Sequence, residues 1–178
     1  MKAFSLERFL LILLLALLLI SCGGGASSNS GGIGGSGMTA QGSVSGFGSI
    51  IVNGTEFDTT NARIIVEGQE IGIGDIVAED NLKVGMVVTV YGTDGNSPVA
   101  DRVTYNDNVE GPVESINVIN ATRKDIVVLG QTVIVNVVTE FKGITFDTLA
   151  VNDVVEVSGF VDDMGRVWAT FLEKTDGL

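Results

Sequence analysis

Histidine is absent from this chain of 178 residues, and cysteine occurs once, at Cys22. The first absence removes Ser-His-Asp and Cys-His arrangements for nucleophilic catalysis, together with every histidine-containing metal site. The second excludes an intramolecular disulfide. Aromatics are few, with one tryptophan, two tyrosines and eight phenylalanines. Positive charge is scarce as well: 10 Lys plus Arg stand against 22 Asp plus Glu, a formal net charge of −12. That balance argues against nucleic acid as a partner, since holding a phosphate backbone requires cations that displace its counterions. What is abundant is apolar β-branched sequence. Hydrophobic residues make up 45% of the chain and the mean hydropathy is +0.41, so a packed core is expected rather than a disordered acidic tail.

The N-terminus carries its own signal. Lys2 and Arg8 precede an apolar run from Phe9 to Ile20, and small residues follow. As a helix the run reaches about 18 Å at about 1.5 Å per residue, well short of the roughly 30 Å of a hydrocarbon core. Residues 1–21 therefore read as a secretory signal peptide. The exit Leu19-Ile20-Ser21-Cys22-Gly23 resembles the lipobox of bacterial lipoproteins. The resemblance implies that the Cys22 thiol takes a diacylglycerol, that cleavage falls just before it, and that the membrane is a partner through this N-terminal lipid anchor. A thiolate suits that attachment as the strongest nucleophile among neutral-pH side chains. In that family an aspartate after the cysteine signals inner-membrane retention, and Gly23 in its place favours the outer membrane. Residues 22–41 then form the lipidated cysteine and a flexible Gly/Ser-rich linker, with an r.m.s. reach of roughly 22–26 Å. Cleavage removes Lys2, Glu7 and Arg8, which leaves the mature chain more acidic by one charge.

From Gly42 onward, short β-branched runs alternate with Gly, Asn and Asp, and no apolar pattern recurs at helical spacing. That is all-β patterning. Strands are predicted over Ser43–Phe47, Ser49–Asn53, Thr55–Asp58, Arg63–Glu67, Met86–Gly92 and Val99–Tyr105. Asn53-Gly54 predicts a two-residue hairpin turn, since both residues tolerate positive φ.

The pattern is stated twice. "GSVSGFGSIIVNG" from Gly42 is echoed by "GPVESINVINATRKDIVVLG" from Gly111, and "LKVGMVVTVYG" (82–92) matches "LAVNDVVEVSG" (149–159) without a gap. Ala100 and Val103 then correspond to Ala169 and Leu172. The polar stretch Tyr105-Asn106-Asp107-Asn108 marks the boundary, which gives a first module over 42–108 and a second over 109–178. Alternation places Val88 and Val90, like Val155 and Val157, on a buried face, while Thr89/Glu156 and Tyr91/Ser158 face solvent. Leu82 with Val84, and Leu149 with Val151, are expected to close the core before the strand. Each module is near the lower size limit for an independent core, so the two are expected to pack together.

These same segments resemble the bacterial secreted-repeat family called domain of unknown function 5666. The resemblance implies two tandem small OB-like β-barrel repeats in an exported protein, and it transfers no catalytic residue. The second copy departs from the first at Asn152, where the first has Gly85.

No catalytic, cofactor-binding or metal site is predicted. Glu79-Asp80 and Asp162-Asp163 are the adjacent acidic pairs, and both are expected as solvated loop charge. The oxygen-rich candidates for calcium are Asp94, Asn96 and Asp101, then Asn106, Asp107 and Asn108, and Asp162 with Asp163. None has the spacing of a calcium loop, and turn chemistry accounts for them. Among the aromatics Tyr91, Tyr105, Phe160 and Trp168, strand parity with Leu172 assigns Trp168 to the core and leaves Tyr91 as the surface candidate. The expected function is a non-catalytic cell-envelope lipoprotein whose modules bind an envelope protein or glycan, or brace an assembly. The alternative is a carboxylate-dependent hydrolase of envelope glycans, which would need two convergent carboxylates about 5 to 10 Å apart.

Overall fold

The structure is a computed structural model that describes residues 37–176. The predicted signal peptide, Cys22 and the linker as far as residue 36 lie outside the described residues. The linker predicted over 22–41 ends earlier than its composition suggests, because Gly37–Gln41 already belong to a strand. Met38 and Ala40 alternate with polar neighbours and pack half-buried against the first core, which recruits this small-residue segment into the sheet.

The first module contains β1 (Gly37–Gly46), β2 (Ile50–Val52), β3 (Thr55–Phe57), β4 (Arg63–Val66), β5 (Gln69–Ile73), α1 (Asp75–Asn81), β6 (Val87–Thr93) and β7 (Val99–Tyr105). The second contains β8 (Val109–Asn120), β9 (Arg123–Val128), β10 (Gln131–Asn136), β11 (Glu140–Lys142), β12 (Val154–Val161) and β13 (Val167–Lys174). The protein is thus nearly all-β and built as two tandem sheet-rich repeats. The first sheet runs β3-β2-β1-β6-β7-β4-β5, and a parallel bridge between Asp58 and Val99 joins the end of β3 to β7. The second runs β10-β9-β8-β12-β13-β11, and β10 also pairs in parallel with β13. In each module the pairing therefore returns on itself through five strands: β1-β2-β3-β7-β6 in the first, β8-β9-β10-β13-β12 in the second.

Local chemistry explains the connections. Asn53 and Gly54 adopt φ of 53° and 75°, the left-handed pair that a tight hairpin of this hand needs. Glu67-Gly68 and Leu129-Gly130 make the same turn between β4 and β5 and between β9 and β10. The helix α1 corrects the expectation of no helical segment. It has seven residues, and only Ala78 is buried with Val77 partly so, too little for a periodic stripe. Glu79 and Asp80 sit at its end rather than in a loop, and the Lys83 ammonium donates to both their carbonyl oxygens, at 3.0 and 2.6 Å, capping the helix C-terminus.

Two buried clusters form the cores. Val88, Val90, Val155 and Val157 are all buried, as their alternation requires. Leu82 and Leu149 close the cores as expected, but Val84 and Val151 do not: they are 39% and 49% exposed. Each precedes a residue of positive φ, Gly85 (95°) or Asn152 (72°), and the reversal turns the valine outward.

The modules are joined by more than the chain. Phe171, on β13 of the second module, is 2% exposed and belongs to the first module's buried cluster. The Val87 N–H donates to Ser158 Oγ at 2.8 Å. The boundary peptide is docked: Asn108 N–H donates to the Val157 carbonyl at 2.8 Å, and Gly159 N–H to Asn108 Oδ1 at 2.7 Å. Tyr105 is buried at the end of β7, and its hydroxyl donates to Glu156 Oε1 at 2.5 Å.

Candidate functional site: an aromatic groove at the module junction

The outer face of β12 and β13 carries Phe160 and Trp168 as directly opposed partners across the ladder. They are 44% and 39% exposed, which overturns the assignment of Trp168 to the core. The cause is a bulge. Ser158 pairs with Phe171 and Gly159 with Ala169, so Thr170 is an extra residue that reverses parity between Trp168 and Leu172.

The hairpin joining the two strands fixes the indole. Asp162 opens this turn, with Oδ1 accepting the N–H groups of Met164 and Arg166 at 2.9 and 3.0 Å. Its Oδ2 accepts from Arg166 Nε at 2.8 Å and from Trp168 Nε1 at 2.9 Å. These bonds, that from the Arg166 side chain foremost, hold the Asp162 carboxyl well below the usual range, so it stays charged. The Arg123 guanidinium lies 5.4 Å from the centre of the Trp168 ring and is itself gripped by Asp125 at 2.8 and 3.0 Å. Asp162 is therefore the anchor of an aromatic platform rather than solvated loop charge, while Asp163 is exposed beside it. The spacing Asp162-x-x-x-Arg166-x-Trp168 is a sequence signal of this arrangement, since an aspartate opening a tight turn bonds the N–H groups that follow it.

The platform lines a groove of about 420 Å³ between the two modules. Ser43–Ser45 and Val84–Gly85 of the first module form one wall, and Asn136, Val138 and Glu140 of the second extend the other. Asn136 Oδ1 is occupied by the Val138 N–H at 2.9 Å. Its amide NH2 and the Glu140 carboxylate have no hydrogen-bond partner among the described residues. The groove thus combines flat apolar rings with an open amide donor and an open carboxylate acceptor, the elements for holding a ligand that has both apolar faces and hydroxyl groups.

The other singled-out residues fall elsewhere. Tyr91, the expected surface aromatic, is covered by Arg102, whose guanidinium lies 4.0 Å from its ring centre. Tyr105 is in the core, where burial, with the Glu156 carboxylate beside it, raises its ionisation far above the ordinary phenol value. Asp107 is pushed up to about 6 by burial and by Glu67, Glu156 and Glu110, and Glu156 is raised by burial. Asp94 accepts the Gly95 N–H at 2.7 Å, as turn chemistry requires. Asn96 lines a second, polar groove of about 710 Å³ on the first module. Two of that groove's acids are committed to threonines: Asp75 accepts the Thr59 and Thr60 hydroxyls at 2.5 and 3.2 Å, and Asp58 accepts the Thr60 N–H at 2.9 Å. Among the described residues no three acids converge in a way that holds a metal ion.

No curated protein and no solved structure matches this chain. Residues 41–104 and 110–173 each match one family, a division that agrees with the two modules seen in the fold. The chain belongs to the family described as Domain of unknown function (DUF5666), of which it carries two copies.

Proposed function

We propose that this protein is a non-catalytic, lipid-anchored protein of the bacterial cell envelope whose two modules act as one binding unit, with the junction groove as its ligand site. The anchor rests on the lipobox at Cys22, and Gly23 after it favours the outer membrane. The binding role rests on one observation above the others: Trp168 is exposed yet held rigid by Asp162 and Arg123 in a groove that no core requirement explains. A platform fixed in advance loses little freedom on binding, which is how a shallow site gains affinity. The ligand best suited to it is a neutral sugar chain. Sugar rings offer apolar C–H faces to Phe160 and Trp168, and hydroxyls to the Asn136 amide and the Glu140 carboxylate. The strongly negative chain opposes an anionic one.

Retention on immobilised neutral polysaccharides tests this. The lipidated full chain should be held and should elute with free oligosaccharide, while Trp168→Ala should flow through with its circular dichroism unchanged. Equal retention of both proteins would refute the assignment of the groove. Release of reducing sugar by the unmodified chain would replace it with a hydrolytic function.

A further inference from the structure

The surface that joins the modules is heterologous: one face of the first meets a different face of the second. Because the modules are repeats, each outer end of the pair carries the counterpart of a joining surface. Such contacts propagate into open chains unless something stops them.

The second module's joining face centres on Ser158 and Phe171, which pair across the ladder and are buried by the first module. Their counterparts in the first module, beside the same bulge, are Tyr91 and Arg102. These stack on each other at 4.0 Å and present a cation and a phenol where the joined face presents a small hydroxyl and a buried ring. Arg102 keeps a buried Nε without a hydrogen-bond partner, a cost carried where phenylalanine serves the other module.

The first module's joining face includes Gly85, which precedes Met86, and Val87, whose N–H bonds Ser158 Oγ. A Cβ at Gly85 would meet the Thr170 carbonyl oxygen at 2.6 Å and the Glu140 Cβ at 2.9 Å, so this contact admits no side chain. The counterparts Asn152 and Asp153 have the same backbone. Gly85 N–H donates to Val44 and Val44 N–H to Met86, and Asn152 N–H likewise donates to Val113 and Val113 N–H to Asp153, all within 2.8–2.9 Å. Asparagine keeps the positive φ the turn needs but adds the side chain the contact forbids.

We infer that Tyr91 with Arg102 at one end, and Asn152 at the other, are end blocks that stop a second copy of this chain from docking head to tail, which makes the two-module unit self-limiting. The inference is independent of what the groove binds.

The test opens each end separately in the full lipidated chain, extracted with detergent micelles in excess. One variant carries Tyr91→Ser and Arg102→Phe, the other Asn152→Gly. Crosslinking is read as a ladder, with protein approaching the millimolar effective concentration of linked modules. The unmodified chain and each variant alone should give a monomer band. An equimolar mixture of the two should give a dimer, and a chain with all three changes should give a ladder. A ladder from the unmodified chain, or a mixture that stays monomeric while both variants keep their thermal transitions, overturns the inference. Asn152→Gly keeps the positive φ of the turn and leaves Asp153 on its Ala150 and Lys174 partners, so the second module stays folded in the test.

Discussion

Phe171→Ala separates a shared core from two independent ones. The ring is carried by β13 of the second module and is 2% exposed within the first module's cluster. Truncating a buried phenylalanine costs about 3–5 kcal/mol through lost transfer energy and the cavity left behind. Against a total stability of about 5–15 kcal/mol, that is a large fraction. Because the ring crosses the boundary, the loss falls on the first module and on the coupling between modules. At about 4–8 °C per kcal/mol for a domain of this size, the first module's transition should drop by more than 10 °C. The assay follows urea unfolding with two probes. Trp168 is the only tryptophan and reports the second module, while far-UV circular dichroism reports both. The probes should coincide in the unmodified chain and separate in the variant, with circular dichroism changing first. Arg102→Ala, at the equivalent position of the first module, serves as control and should cost under about 1 kcal/mol, typical of a site outside a core. A loss below about 1 kcal/mol for Phe171→Ala with coincident probes would refute the shared core.

Further outcomes follow from the junction and the N-terminus. Asp107, with its carboxyl at about 6, contributes stability that is full below its unfolded value near 4 and is lost as pH rises through about 6. The melting temperature of the unmodified chain relative to Asp107→Asn should therefore fall between pH 4 and 6.5, and a flat difference would contradict the raised carboxyl. Gly85→Ala forces a Cβ to 2.6 Å from the Thr170 carbonyl at a positive φ, so it should destabilise by more than the ~1–2 kcal/mol of the backbone term alone. Asn152→Ala, which carries only the difference in backbone tolerance, should cost less in the same melts. Cys22→Ala should abolish incorporation of a clickable fatty acid and leave a heavier, uncleaved precursor. A mature N-terminus elsewhere than Cys22, read by mass spectrometry, would contradict the anchor.

How much of this was legible in the sequence depends on the range of the interaction. Val88, Val90, Val155 and Val157 were legible because a half-buried strand writes its faces with a period of two, and Asn53-Gly54 because its turn needs two residues of positive φ. The turns at Glu67-Gly68 and Leu129-Gly130 were not, because neither Glu nor Leu advertises the left-handed conformation it adopts. The exposure of Trp168 was hidden by a single bulge residue, Thr170, since one insertion inverts every later parity inference. Phe171 read as one more strand residue because the surface that buries it lies on the other module. The groove is hidden for the same reason: its walls come from residues 43–45, 84–85, 136, 138, 140, 160 and 168–170, which only the packing of the two modules brings together.

The most direct measurement of the groove as a ligand site is the emission of Trp168, which lies in it and has no other indole to mask it. Titration with neutral oligosaccharides should produce a saturable change in intensity or wavelength. Phe160→Ala should weaken the apparent affinity by about 5- to 150-fold, the ~1–3 kcal/mol of one stacking aromatic. Emission that stays constant across the whole oligosaccharide series, with the protein folded, would contradict the assignment of the groove.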